Sequence, residues 1–169
     1  MTPDTGSRSV VVALRDVVDQ MDLPSDEMTA YLNRRTGELV VVTDTDRELA
    51  EEEEEPTGLP DWQKESVAAA REVMETGDFL ELPDKFEINE YGIIERFCHQ
   101  AEPGEAREAL LRAIAGRGAF RYFKDVLHDR GMTDAWYAFR HKALEEIAAA
   151  WLDENGIAYT RESPSPGGA

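Results

Sequence analysis

The chain of 169 residues carries 36 Asp+Glu against 18 Lys+Arg, a formal net charge of −18, with 41% hydrophobic and 32% charged residues. At about 100–200 residues per domain, this length points to one domain with room for a sizeable core. No apolar run approaches the ~20 residues of a bilayer-spanning helix, no secretory signal is visible in Met1 to Ser9, and the lone Cys98 rules out an internal disulfide and fits a reducing compartment.

Residues 1–9 are small and polar and are expected as a frayed leader, ahead of a single domain over 10–160. Val10, Leu14, Val17, Val18 and Met21 recur on one face of a helix, although the β-branched start leaves a strand open for 9–12. Pro24 closes this element, because the residue before a proline is pushed out of helical geometry. A hairpin follows, in which 28–32 and 39–43 flank a loop whose Gly37 supplies the positive φ needed at its closing position. Residues 44–60 contain Glu51 to Glu55 and then three breakers, Pro56, Gly58 and Pro60. Adjacent carboxylates repel, so the expectation is a mobile acidic connector.

Asp61 is positioned as an N-cap of a helix that stops at Gly77, with Trp62, Val67, Ala70, Val73 and Met74 facing inward. The short run 79–83 is extended and able to add a third strand before Pro83 ends it. The rest reads as helices: one through Ile88, Tyr91, Ile94, Phe97 and Cys98, one from Pro103 to Ala115, one over 118–129, and a long one from Thr133. The long helix carries the stripe Trp136, Phe139, Ala143, Ile147, Ala150 and Trp151 and closes at Asn155-Gly156-Ile157. The tail 161–169 is expected to be disordered. The pattern is that of an α+β fold: a small antiparallel hairpin packed on about five helices, with a helical C-terminal half.

The segment Gly116-Arg117-Gly118-Ala119-Phe120-Arg121-Tyr122-Phe123-Lys124-Asp125-Val126-Leu127 closely resembles the signature of an uncharacterised bacterial protein family of the UPF series. Supporting pieces occur in the expected order: Tyr31-Leu32-Asn33 with Thr36-Gly37-Glu38, Leu82-Pro83, Trp136 to Phe139, and Trp151 to Ile157. The resemblance covers about 14–157 and implies a cytoplasmic bacterial protein of α+β type, with no activity attached. Asn33 stands where the family usually has an aspartate, and the glutamate run is a local embellishment.

Charge is segregated. From Asp44 to Glu95 there are 18 acids and 4 bases; from Arg117 to Lys142 there are 6 bases and 3 acids. At about 100° per residue, Arg117, Arg121, Lys124 and His128 fall within about 60° of one another, while Ala119, Phe120, Phe123, Val126 and Leu127 lie on the other side. The helix is expected to bury that apolar side and present a basic one. The basic side is either a solvated face paired with nearby acids, or a surface that docks an acidic partner or an anion, with His128 as a pH-sensitive member. Tyr137, off the core stripe, and Arg140 extend this candidate edge, whereas Trp136, Phe139 and Trp151 read as packing.

A nucleic-acid interface on the same face is the second reading, disfavoured by the overall charge, which repels phosphate and anionic lipid alike. The glutamate run is also placed to fold over the basic face as a lid. No cofactor or metal is implied: adjacent Cys98 and His99 diverge by about 100° on a helix, His128 and His141 lack a third ligand, and Asp44, Asp46 and Glu48 lack the glycine and downstream glutamate of a calcium loop. No catalytic residue is singled out, because no serine sits in a nucleophile elbow and Cys98 lies on an apolar stripe. A hydrolase or transferase whose carboxylates converge only in the fold is the third reading.

Overall fold

Val11–Ala13 forms strand β1 and Leu14–Met21 continues as helix α1, so the helical periodicity and the β-branched start are both expressed, in succession. The structure is a computed structural model that describes residues 10–23, 26–52 and 57–161; the leader, most of the glutamate run and the tail lie outside it. The hairpin follows as β2 (Met28–Asn33) and β3 (Leu39–Thr43), antiparallel with Leu32 opposite Leu39.

The hairpin loop is built by Asn33, whose Oδ1 accepts from the backbone N–H groups of Arg35 and Thr36, and by Gly37 at φ 79°. A Cβ on Gly37 would lie 2.8 Å from Cγ1 of Val10, so both conformation and space demand glycine there. Strand β4 (Phe79–Glu81) pairs antiparallel with β2, giving a three-stranded sheet in the order β3-β2-β4 and supplying the third strand. A second sheet was not legible beforehand: β5 (Ala158–Thr160) pairs in parallel with β1.

Two corrections concern the acidic half. Residues 44–51, expected as connector, form helix α2 (Asp44–Glu51). Thr43 Oγ1 accepts from the N–H of Asp46 and caps the helix, while Ala50 packs with Val42, Val67 and Ala70. Capping and one apolar row outweigh the charge repulsion. Asp61 is the first residue of helix α3 (Asp61–Glu75) rather than its cap, a position held by Pro60. This helix buries Val67 and Ala70, but Trp62 is 67% exposed and Met74 is also exposed, so its inward face is narrower than its apolar content suggests.

The chain divides into two compact units, 1–84 with 148–169, and 85–147. In the first, α2 and α3 pack together on the β3 side of the sheet, and Arg47 donates to the hydroxyl of Tyr31 at 2.5 Å. The second contains α4 (Lys85–Ile88), α5 (Glu90–Gln100), α6 (Glu105–Ala113), α7 (Ala119–Asp129) and the larger part of α8 (Thr133–Glu154). Asn89, left-handed at φ 51°, separates α4 from α5 and caps the latter through Oδ1. The core of this unit is an aromatic cluster: Phe97, Phe123, Trp136 and Phe139 meet with ring centroids 4.9–6.1 Å apart, mostly edge to face. At the far end of α8, Ile157 is buried and its N–H donates to the Leu152 carbonyl at 2.9 Å, which closes the helix as its sequence implied.

Candidate functional site

Helix α7 takes its orientation from two side chains. Phe123 and Leu127 are 1% exposed, and Phe123 meets Phe97 of α5 and Trp136 of α8. Fixing those two residues inward turns Arg121, Lys124 and His128 outward, and all three are exposed. They span about 10 Å along the helix at 1.5 Å per residue. None of the three forms a salt bridge within 4.0 Å among the described residues, and neither does Arg117. Asp125 and Asp129, the nearest carboxylates in sequence, are exposed on an adjacent row of the same helix.

The helical register does not extend to Arg117. Gly118 caps α7 in the left-handed region at φ 74°, so Arg117 sits in the preceding turn, exposed but off the stripe. The ring of Tyr122 lies against this turn, and a Cβ on Gly118 would come within 3.3 Å of its Cε2.

Phe120 differs from expectation. Assigned to the buried side, it is 49% exposed, because the aromatic cluster accepts Phe123 and leaves the neighbouring row uncovered. Tyr122 and Tyr137 are 55% and 56% exposed. Arg140 is engaged: its Nε donates to Oε1 of Glu90 at 2.8 Å, joining α8 to α5, and its side chain is only 20% exposed. The basic face is therefore Arg121, Lys124 and His128 on α7, with Arg117 in the turn before it and half-exposed aromatic rings beside it. The residues that sequence reasoning missed, Glu90 as the partner of Arg140 and Phe120 as a surface residue, depend on contacts distant in sequence.

Other chemistry is sparse among the described residues. No group of three or more His, Cys, Asp or Glu side chains is arranged to hold a metal ion. Cys98 is buried, and burial pushes its thiol up to about 11. His141 contacts Glu145 at 2.8 Å, one turn along the same helix. A cavity of about 440 Å³ in the first unit is lined by Leu59, Val67, Lys64 and Arg71, among others. Glu53 to Glu55, the centre of the expected lid, lie outside the described residues. No helix among the described residues is long and apolar enough to cross a membrane.

Comparison with known proteins gives a family and no activity. A curated relative, the UPF0158 protein PA5073 of Pseudomonas aeruginosa, is 30% identical over 76 residues, which cover 44% of this chain and 50% of that protein. The chain thus spans about half the length of this relative. No solved structure matches. The model of the uncharacterised protein family UPF0158 matches residues 7–166, nearly the whole chain. This protein belongs to the UPF0158 family.

Proposed function

We propose that this protein is a non-catalytic interaction or regulatory module of the bacterial cytoplasm that docks an acidic partner surface or an anion on α7. The observation that carries the reading is the state of the cations: Arg117, Arg121 and Lys124 are exposed and without salt bridges among the described residues, in a chain of net charge −18. Arg35 pairs with Asp78 at 3.5 Å and Arg130 with Glu105 at 4.0 Å, whereas the α7 cations have no carboxylate within 4.0 Å among the described residues, although acids are twice as numerous as bases. A row that stays unpaired in such surroundings is available to a partner.

The test is binding of fluorescently labelled acidic peptides at about 50 mM salt, where surface electrostatics are least screened. The triple variant Arg117→Glu, Arg121→Glu, Lys124→Glu is expected to lose binding while keeping its thermal stability. Unchanged affinity overturns the proposal.

A second reading, single-stranded nucleic acid on the same face, is favoured by the half-exposed rings of Tyr122 and Tyr137, which offer stacking surfaces. It requires a steep salt dependence, with a log–log slope of about −2 to −3 for three or four phosphate contacts. Salt-independent or absent binding of an oligonucleotide rules it out.

A further inference from the structure

Resting on the docking reading, we infer that the partner is an acidic protein segment that also brings an apolar side chain to cover Phe120. The surface of α7 is ordered in rows. Taking about 100° per residue, Phe120 lies about 40° to one side of Lys124, and Lys124, the His128 imidazole and Arg121 occupy the next ~60°. Asp125 and Asp129 follow about 40–80° beyond Arg121 on the opposite border. Phe120 is 49% exposed, and the cations and both aspartates are exposed. Phe120 and Lys124 are one turn apart, so an exposed ring and an unpaired ammonium share one patch.

A polyanion of uniform charge fits this order poorly. A phosphate backbone centred on the cations runs beside two carboxylates on one border and leaves the ring uncovered on the other. An amphipathic acidic helix fits it, setting carboxylates on the cation row and an adjacent apolar row on Phe120. Aromatic residues and Arg are also enriched in protein–protein interfaces, where Lys, Glu and Asp are depleted.

The charge distribution points the same way. The unit 85–147 has 11 acids and 10 bases, a net of −1, whereas 1–84 with 148–169 has 25 acids and 8 bases, a net of −17. Long-range attraction for nucleic acid is absent from the molecule as a whole, so affinity must come from short-range contact, which the Phe120 ring beside Lys124 and Arg121 supplies best to another protein.

The experiment compares three labelled probes at about 50 mM salt, low enough to leave surface charges poorly screened. The first is an amphipathic helical peptide with glutamates on one row and leucines on the next. The second is the same peptide with alanine at every leucine, and the third is a short oligo-dT strand. A helix can lie in either direction, so one peptide samples both row orders.

The leucine peptide is expected to bind wild type about tenfold more tightly than the alanine peptide, the usual effect of losing one apolar anchor. Phe120→Ala is expected to erase that preference without changing affinity for the alanine peptide, and Phe120→Leu to retain it. Equal affinity of the two peptides for wild type, or tighter binding of oligo-dT than of either, overturns this inference and leaves docking on α7 standing. If no probe binds wild type, or the triple charge reversal retains all binding, the docking reading falls and this inference falls with it.

Discussion

Phe120 and Phe123 are three residues apart on one helix, and the orientation of α7 makes their truncations unequal. Phe123 is 1% exposed and meets two rings edge on, Phe97 at 6.1 Å and Trp136 at 4.9 Å. Removing a buried phenylalanine costs about 3–5 kcal/mol. Two edge-to-face pairs, each worth about 0.5–1.5 kcal/mol beyond burial, put Phe123→Ala in the upper half of that range. Phe120 is 49% exposed, so about half of a full burial term of 1.5–3 kcal/mol is at stake, roughly 1 kcal/mol.

Urea unfolding separates the two variants. Trp136 is the tryptophan of the unit 85–147, and it is buried there. In a Trp62→Phe, Trp151→Phe background its fluorescence reports that unit's transition. The expected difference between the alanine variants is about 3 kcal/mol or more. Destabilisations within about 1 kcal/mol of each other refute the orientation of α7, and with it the outward row of cations.

Three further outcomes are expected. Gly37→Ala places an alanine at φ 79° with its Cβ 2.8 Å from Val10, and should cost at least about 1–2 kcal/mol in thermal or urea unfolding; an unchanged transition contradicts the loop geometry. Cys98 favours its neutral form in the folded protein, since burial lifts its thiol from 9 to about 11. Its contribution to stability is thus complete below pH 9 and declines as pH rises toward 11, so the melting temperature of wild type should fall more across that window than that of Cys98→Ala; parallel pH curves refute the shift. Arg140→Ala should reduce stability by about 1–2 kcal/mol by breaking the half-buried link to Glu90, and should leave peptide binding within about twofold; a loss of binding at unchanged stability returns Arg140 to the docking surface.

The parts of the fold that were legible in the sequence are those governed by local chemistry. The run Leu39 to Thr43 and a loop closed by Gly37 specify the hairpin on their own, and the 3.6-residue spacing of Phe123 and Leu127 orients α7. The features that escaped are set by partners far along the chain. Ala158–Thr160 is a strand only because β1 lies beside it, and three residues carry no alternation to reveal that. Helix α2 was hidden by its carboxylates, which outnumber the two residues, Leu49 and Ala50, that pack it. At the candidate site the cations were found from spacing alone. The ion pair that engages Arg140 comes from a residue 50 positions away, and the exposure of Phe120 is decided by where a neighbouring cluster ends. Periodicity gives the direction of a face and not its width.

The pairing of β1 with β5 joins segments almost 150 residues apart, whereas the unit 85–147 is contiguous. A ribosome therefore delivers every residue of the helical unit before it delivers the strand that completes the other one. The helical unit depends on contacts within one contiguous stretch, while β1 of the sheet-bearing unit stays unpaired until residues 158–160 have been made. During that interval a β-branched strand end is open to wrong pairings, and the dense negative charge of the same unit opposes the approach of a second copy.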